Sequence, residues 1–289
     1  MIILGADVGG TSSRVALFTH GAEHGRHEGT GGPMRAGRGA DLARELAALA
    51  RPLLAREGSA RADVLVVGAS GAGREQERQE LQQALEAERL AWKVVITTDA
   101  ELARAAAFEG GPGVLLIAGT GSIALARRAD GEVHRVGGLG WRMGDQGSAH
   151  WLGQQALAAV GRMHDHLGPI THLAEALCTA AGVSGIAGLV RWSTTATPAV
   201  GARLGPHVVS CADRGDAVAS EIVREAVSWL VRLVEAAGGG RLPVALSGGL
   251  LAPDRALRTR VEAALVAHGL GPVCTAPIDP CRGALPLAC

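Results

Sequence analysis

Two glycine-containing turns, each between two short apolar stretches, carry residue types that suit the binding of an anion. They are Asp7-Val8-Gly9-Gly10-Thr11 and Gly119-Thr120-Gly121-Ser122. Glycine lets the backbone approach a ligand closely, and successive N–H groups in a turn can surround a negative charge. Either turn alone is also typical of an ordinary β-hairpin. Two of them in one chain favour a nucleotide whose phosphates are held between two lobes.

Side chains at the first turn add polar ligands. Thr11 offers a hydroxyl donor, and Asp7, at the end of the first predicted strand, is suited to hold Mg²⁺ directly or through water. The segment is not a P-loop, because that motif places a lysine after its glycines and the only lysine is Lys93. It is not a dinucleotide-binding fingerprint either, because a strand rather than a helix is predicted after Gly10.

Asp99 is the candidate general base for a phosphoryl-transfer reaction. It closely follows the apolar stretch 94–96, and α/β folds place reactive groups at the carboxyl ends of strands. A carboxylate within hydrogen-bond reach of an acceptor hydroxyl can take its proton. The same segment, Thr98-Asp99-Ala100-Glu101, also has the pattern of a capping box that begins a helix. The two interpretations are compatible, because a capping carboxylate is held rigidly.

A third candidate region is the segment 137–148, with the sequence GGLGWRMGDQGS. Its many glycines fit no regular element, so its main-chain groups and Asp145 can bind a hydroxyl-rich ligand. A flexible surface loop is the alternative, but it would leave Trp141 and Met143 unexplained. Ser247-Gly248-Gly249, which follows another apolar stretch, suits close approach of the backbone to a base or a ribose.

The spacing of apolar residues predicts the elements that position these groups. We predict strands at 2–5, 14–19, 64–67, 94–96, 114–118, 123–127 and 244–246. We predict helices at 41–56, 75–90, 100–108 and 151–160, over most of 173–194, and as one long helix within 205–237. Residues 20–27, which include three histidines, are expected to form a solvated turn.

The order of these elements predicts an α/β protein with two related lobes, because the strand–turn–strand pattern occurs twice. We place the first lobe at 1–110 and the second at 111–289, since the segment 109–113 (EGGPG) favours turns.

Composition excludes several classes of protein. Of the 289 residues, 47% are hydrophobic and the formal net charge is zero, which argues against disorder and against nucleic acid or an anionic membrane as a partner. The five cysteines form no C-x-x-C pair and have no zinc-ligand spacing. No apolar run approaches the ~20 residues that span a bilayer. The apolar start is short and lacks the basic flank of an export signal, so we expect a cytoplasmic protein.

With these motifs in view, the chain resembles the N-acetylglucosamine kinase branch of the BadF/BadG/BcrA/BcrD ATPase family, within the actin, hexokinase and Hsp70 superfamily. The similar segments are GADVGGTSSRVAL, TTDAELARAAAF, VLLIAGTGSIALAR, GGLGWRMGDQGSAHWLGQQAL, CADRGDAVAS, LSGG and CRGALPLA. The resemblance implies two ribonuclease H-like (actin/hexokinase-type) lobes with a nucleotide and sugar cleft between them. It also implies that the tail at about 281–289 packs back on the first lobe.

The resemblance implies a role for each matching residue. Asp99 would be the base for the 6-hydroxyl of the sugar, and Asp7 would lie near Mg²⁺. The ATP and phosphate ligands would be Gly9, Gly10, Thr11, Gly119, Thr120 and Gly121, with Ala212, Gly248 and Gly249 at the adenosine. The sugar ligands would be Ser122, Gly138, Leu139, Gly140 and Asp145.

Three departures from the family pattern concern the sugar. Enzymes of this branch usually carry an asparagine that contacts the sugar in the loop after the first hairpin. Here that loop reads Gly29-Thr30-Gly31-Gly32-Pro33-Met34-Arg35. Leu139 stands where a tryptophan can occur, and Gln146 where the usual residue is glutamate. The acceptor therefore stays open among N-acetylglucosamine, glucosamine, glucose and N-acetylmuramic acid.

The expected reaction is Mg²⁺-dependent transfer of the γ-phosphoryl group of ATP to a small sugar, by a homodimer. The first expected acceptor is N-acetylglucosamine or glucosamine at its 6-hydroxyl. One alternative within the family is an ATPase that activates a partner enzyme and holds an iron–sulfur cluster, but the five cysteines match no cluster-binding loop. Another is a sugar-responsive regulator, but a strand rather than a helix-turn-helix is predicted at the first residues.

Overall fold

The structure is a computed structural model, and it describes residues 1–10, 12–238 and 240–289. The chain divides into two compact units. Unit 1 comprises Met1–Gly111 together with Ala276–Cys289, and unit 2 comprises Pro112–Thr275.

Unit 1 is built on a mixed sheet of five strands in the order β3-β2-β1-β4-β5. The strands are β1 (Ile2–Val8), β2 (Ser12–Thr19), β3 (Ala22–Thr30), β4 (Ala62–Ala69) and β5 (Ala91–Thr97). The first three are antiparallel, whereas β1, β4 and β5 run parallel, so their carboxyl ends meet at one edge of the sheet. The helices are α1 (Gly39–Arg56), α2 (Glu75–Glu88), α3 (Asp99–Ala107) and a C-terminal turn (Ala284–Leu287).

Two apolar layers cover the two faces of this sheet. Because side chains alternate along a strand, neighbours in β1 enter different layers: Leu4 packs with α1 and α2, and Ile3 packs with α3 and the C-terminal segment. The C-terminal segment lies against β1 so closely that a Cβ on Gly5 would be 2.4 Å from the carbonyl oxygen of Cys281. Glycine at position 5 is thus required for this close contact.

Unit 2 has a second mixed sheet, in the order β10-β9-β6-β7-β8. Its strands are β6 (Gly113–Ala118), β7 (Ser122–Arg127), β8 (Val133–Gly137), β9 (Val244–Ser247) and β10 (Val273–Cys274). Its helices are α4 (Ala149–His164), α5 (Leu173–Ala181), α6 (Gly185–Thr195), α7 (Pro198–Gly201), α8 (Gly205–Asp213), α9 (Ala217–Ala236) and α10 (Ala256–Ala267). Alanine, valine and leucine from the sheet and helices form one continuous core.

Three features differ from the sequence prediction. The single long helix predicted within 205–237 is two helices, because Gly215 has φ +88° and Asp216 caps α9 by accepting a hydrogen bond from Ala219 N at 2.8 Å. The region 20–27, predicted as a solvated turn, contributes most of the edge strand β3, whose alternate residues are exposed. The edge strand β8 was not predicted either.

Among the described residues, no single helix is long and apolar enough to cross a membrane. The helices α5 and α6 meet that test only as a pair, by length and composition, with a bend of 55° between them. Leu173, Leu177 and Leu189 of this pair belong to the core of unit 2.

Candidate functional site

The glycine turn of unit 1 joins β1 to β2. The N–H of Gly9 donates to the carbonyl oxygen of Ser12 at 2.9 Å and closes the turn. Gly10 is exposed, and a Cβ placed on it would meet no atom within 4 Å, so its side of the turn is open to a ligand. Thr11, predicted as a phosphate ligand, lies outside the described residues.

Asp7 lies one residue before the end of β1 and is paired in register with Arg14 of β2. Burial raises the pKa of Asp7 from its ordinary value of 3.8 to about 6; the guanidinium of Arg14 opposes this rise, and the negative charges of Asp99 and Asp279 add to it. The carboxyl edge of the parallel strands is therefore a region of concentrated negative charge in unit 1.

Asp99 is the first residue of α3, directly after the N-cap Thr98. The hydroxyl of Thr98 accepts the N–H of Glu101 at 3.1 Å, which is the expected capping bond. The carboxylate of Glu101 does not complete a capping box; it binds the guanidinium of Arg104 at 2.7 and 2.8 Å. Thr98 rather than Asp99 thus caps the helix, and the carboxylate of Asp99 accepts the N–H of Ala100 at 2.9 Å.

Arg104 fixes the helix that carries Asp99. Its side chain is fully buried, is ion-paired with Glu101 and donates to the carbonyl oxygen of Gly111 at 2.9 Å. A buried guanidinium with carboxylate and carbonyl partners holds its neighbours in one geometry. The position of Asp99 is therefore set by the N-terminal cap and by this internal ion pair.

Asp279 was not predicted as a site residue. It accepts hydrogen bonds from Arg26 at 2.5 Å and from the N–H of Cys281 at 3.2 Å, and its charge acts on Asp7. The residue lies in the C-terminal segment, 272 positions after Asp7 in the sequence, so no local pattern could have indicated it.

The glycine turn of unit 2 joins β6 to β7 and lies at the start of α4. The N–H of Gly119 donates to the carbonyl oxygen of Gly121 at 2.9 Å, and the N–H of Ala149, the first residue of α4, donates to the carbonyl oxygen of Gly119 at 2.9 Å. Ser122 is buried; its hydroxyl donates to the carbonyl oxygen of Gln146 at 2.7 Å. The turn is thereby tied to the segment 137–148.

Asp145 is held against this turn. Its Oδ1 accepts the N–H of Ser122 at 3.2 Å, and a Cβ on Gly121 would lie 2.8 Å from the same carboxylate. Burial raises the pKa of Asp145, and the N–H of Ser122 and the nearby His150 oppose the rise. The backbone of Asp145 has φ +63°, an uncommon conformation outside glycine, which marks a position fixed by its surroundings.

The remaining predicted sugar ligands lie on the same loop. The N–H of Gly138 donates to the carbonyl oxygen of Ser122 at 2.9 Å, and both Gly138 and Gly140 have positive φ. Three apolar side chains of the loop are exposed: Leu139 by 65%, Trp141 by 43% and Met143 by 76%. The ring of Trp141 meets that of His150 edge-on, with centroids 5.5 Å apart. The loop thus presents apolar surface beside the carboxylate of Asp145.

A cavity of about 610 Å³ lies within unit 2 and begins at the glycine turn. Its lining residues are Gly119, Thr120, Ala149, Ala199, Ala202, Arg203, Pro206, Val209, Ser210, Asp213, Gly249, Leu250, Asp254, Arg255, Ala256 and Leu257. Its volume is in the range of small-molecule sites, ~300–1,000 Å³. Small apolar side chains with a few polar groups at the rim suit a flat ring system attached to a polar group.

The predicted adenosine residues have different positions around this cavity. Gly249 lines it. Gly248 has φ +96°, and a Cβ there would lie 2.4 Å from the carbonyl oxygen of Ala118, so its role is to shape the turn. Ala212 is buried and is not among the lining residues, whereas Val209 and Asp213 of the same helix are. Val209 and Asp213 were not predicted, because the sequence motif does not specify which face of α8 meets the cavity.

All five cysteines are free, and the described residues contain no group of three or more His, Cys, Asp or Glu side chains that could hold a metal ion by themselves.

Two curated proteins are similar to this chain over part of their length. An N-acetylmuramic acid/N-acetylglucosamine kinase of Clostridium acetobutylicum is 29% identical over 174 residues, which cover 60% of this chain and 57% of that protein. A glucosamine kinase of Vibrio cholerae is 31% identical over 132 residues, which cover 46% of this chain and 44% of that protein. The chain thus matches about half the length of these relatives.

Solved structures are similar over nearly the whole chain. A proposed N-acetylglucosamine kinase of Chromobacterium violaceum has a TM-score of 0.81 at 28% identity, covering 98% of this chain and 97% of that one. A ROK hexokinase of Thermus thermophilus has a TM-score of 0.59 at 16% identity, covering 98% and 97%, and shares the fold. The predicted α/β class with two actin/hexokinase-type lobes is confirmed.

The family model that describes the BadF/BadG/BcrA/BcrD ATPases matches residues 4–285, nearly the whole chain. The chain therefore belongs to the BadF/BadG/BcrA/BcrD ATPase family, as the resemblance of its motifs predicted.

Proposed function

We propose that the chain transfers the γ-phosphoryl group of ATP to a hydroxyl of a small amino sugar, N-acetylglucosamine or glucosamine at its 6-hydroxyl. The observation that carries the proposal is the cavity of unit 2, which joins the glycine turn at Gly119 and Thr120 to an apolar pocket. The similar curated proteins are named as kinases of amino sugars, which supports the same reaction.

ATP is the proposed occupant of that cavity. Its adenine would lie among small side chains such as Ala202 and Val209, and its phosphates would extend toward Gly119 and Thr120. The first residues of α10 also line the cavity, and a helix N-terminus favours negative charge. The backbone N–H groups of the two glycine turns are the proposed phosphate ligands, with Gly9, Gly10 and Thr11 serving in unit 1 and Gly121 in unit 2.

Asp99 is the proposed general base. As the carboxylate accepts the proton of the sugar hydroxyl, the oxygen becomes a better nucleophile toward the γ-phosphorus. The fixed position of α3 supports this role, because a base must be held within hydrogen-bond reach of its proton. The hydroxyl of Thr98, rather than the carboxylate of Asp99, accepts the capping hydrogen bond of α3.

The residues at the carboxyl edge of unit 1 fit a magnesium ion. Asp7 is a partly buried carboxylate that carries the repulsion of Asp99 and Asp279, and a cation would relieve that repulsion. Mg²⁺ needs only one or two carboxylates when waters and phosphate oxygens complete its octahedron, which agrees with the absence of a larger ligand group among the described residues. When bound, Mg²⁺ neutralises charge on the phosphates.

The sugar is proposed to bind at the segment 137–148 and the neighbouring turn. Asp145 would accept hydrogen bonds from sugar hydroxyls, with Ser122 and the main chain of Gly138 and Gly140 beside it. The exposed Leu139 would contact the apolar face of the ring, as apolar surface in carbohydrate sites does together with polar groups. Glucose and N-acetylmuramic acid are alternative acceptors.

An ATPase that activates a partner enzyme is the second family activity to consider. Such activators hold an iron–sulfur cluster in cysteine-containing loops, and the five cysteines of this sequence match no such loop. The expected assembly, a cytoplasmic homodimer, is a further part of the proposal and is tested by light scattering.

The proposal is tested by ADP release with Mg-ATP and each of the four sugars. We expect release that depends on an amino sugar and that falls by roughly 10²–10⁴-fold in Asp99→Asn. Release that is equal with and without every sugar would overturn the kinase assignment.

A further inference from the structure

The segment 31–38, which joins β3 to α1, has the sequence GGPMRAGR. It contains no amide or hydroxyl side chain that could bind the neutral hydroxyls of a sugar. Its only polar side chains are the guanidinium groups of Arg35 and Arg38. If the side chains of this segment distinguish between substrates, they therefore favour substrates that carry a negative charge.

The segment is fixed at the carboxyl edge of the unit 1 sheet. The N–H of Met34 donates to the carbonyl oxygen of Ser70 at 2.6 Å, and the Met34 side chain is buried. Gly71 has φ +87°, and a Cβ there would lie 2.2 Å from the carbonyl oxygen of Met34, so glycine is needed for this approach. Arg35 follows the anchored residue directly.

Ser70 lies between the two proposed reactive carboxylates. It follows β4, which pairs with β1 on one side and with β5 on the other; Asp7 is near the end of β1, and Asp99 is just beyond β5. Neighbouring strands are ~4.8 Å apart, so these three strand ends span about 10 Å. The backbone of Arg35 is thereby placed at the edge where the phosphoryl transfer is proposed.

The two guanidinium groups of the segment differ in their partners. Arg38 is bound to Glu45 at 3.1 Å and to the carbonyl oxygen of Pro33 at 3.3 Å. Arg35 is exposed and has no carboxylate within 4 Å among the described residues. Arg35 is thus a cation without an ion pair at an edge that otherwise carries carboxylates.

We propose that Arg35 binds a carboxylate of the acceptor, so that the site accepts amino sugars with an acidic substituent as well as the neutral amino sugars. Such a substituent would be repelled by Asp7 and Asp99 unless a cation lay beside it. The guanidinium supplies two parallel N–H donors, which match the two oxygens of a carboxylate. The inference rests on the proposed kinase function and assigns its acceptor class.

The test compares N-acetylmuramic acid, whose lactyl group carries a carboxylate, with its methyl ester in Mg-ATP-dependent ADP release. We expect wild type to prefer the acid and Arg35→Gln to lower the acid-to-ester ratio of kcat/KM by roughly 10- to 100-fold, the loss of a charge-assisted contact. Arg35→Lys should retain part of the ratio.

Arg56→Gln is the matched control. Arg56 is an exposed arginine of the same unit at the other end of α1, roughly 27 Å along the 18-residue helix, and its substitution should leave the ratio unchanged. An unchanged ratio in Arg35→Gln would overturn the proposal. An equal loss with acid and ester would also overturn it and would assign Arg35 to the γ-phosphate.

Failure of the kinase function itself has a different signature, because ADP release would then depend on no sugar. Calorimetric binding of the acid and the ester in the absence of ATP tests Arg35 in that case too. Tighter binding of the acid that is lost in Arg35→Gln would support the contact, and equal binding of acid and ester by wild type would contradict it.

Discussion

Replacing Asp7 by asparagine should make the free protein more stable at neutral pH. Burial, together with Asp99 and Asp279, raises the pKa of Asp7 to about 6, against 3.8 for an ordinary aspartate. A carboxyl whose pKa is raised on folding binds its proton more tightly in the folded state. Stability therefore falls as the pH rises from about 4 to about 6, and the whole penalty is present above that range.

The size of the penalty follows from the shift. A difference of about two pKa units, at ~1.4 kcal/mol per unit, corresponds to roughly 3 kcal/mol as an upper bound. We expect Asp7→Asn to add about 1–3 kcal/mol to the free energy of unfolding at pH 7.5 and little at pH 4. In a thermal scan without nucleotide or Mg²⁺, this is a rise of several degrees in Tm.

The assay is the difference in Tm between Asp7→Asn and wild type across pH 4–8. Asp165→Asn, at an exposed position after α4, is the matched control and should stay within about 0.5 kcal/mol of wild type throughout. The same Asp7→Asn protein should lose Mg²⁺-dependent activity. A variant that is less stable at pH 7.5, or whose gain is the same at pH 4, would refute the reasoning.

Three further substitutions test the cavity and the fold. Ala256→Trp, at an exposed residue that lines the cavity, should weaken ATP binding at least tenfold in calorimetry, whereas Ala267→Trp at the far end of α10 should not. Equal ATP affinity of Ala256→Trp and wild type would contradict ATP as the occupant of the cavity. Gly248→Ala should cost at least about 2 kcal/mol in denaturant unfolding, because of its φ of +96° and the 2.4 Å contact, whereas Gly161→Ala in open space within α4 should be neutral or stabilising. Arg104→Ala should cost about 3–5 kcal/mol, because the partly buried carboxylate of Glu101 loses its cation and the carbonyl oxygen of Gly111 loses its donor; a cost below 1 kcal/mol would exclude a structural role for the pair.

The elements that could be predicted from sequence are those with a strong local pattern. β1 and β6 are buried apolar strands that run into glycine turns, and each appears as a run of Ile, Leu and Val with its turn beside it. The break between α8 and α9 also had a signal, since Gly215-Asp216 combines a helix stop with an N-cap.

The edge strands could not be predicted, because their sequences have little apolar alternation. β3 (AEHGRHEGT) and β8 (VHRVG) are polar and contain no buried residue, and their strand conformation depends on hydrogen bonds to β2 and β7. Pairing of this kind is decided by the tertiary structure rather than by the residues of the strand.

Parts of the candidate site depend on packing in the same way. Asp279 acts on Asp7 only because the C-terminal segment returns to unit 1. On α8, Val209 and Asp213 line the cavity while Ala212 is buried, and that choice depends on the rotation of the helix. The motif predicted the helix as part of a nucleotide site but could not specify which of its residues face the cavity.

The most direct test of the central claim is transfer of labelled γ-phosphoryl from ATP to N-acetylglucosamine or glucosamine, followed by isolation of the sugar product. Wild type should give a labelled sugar phosphate whose label is on the 6-oxygen, and Asp99→Asn should give it roughly 10²–10⁴-fold more slowly. Label that appears only as inorganic phosphate would contradict the account and would favour an ATPase that acts on a partner protein.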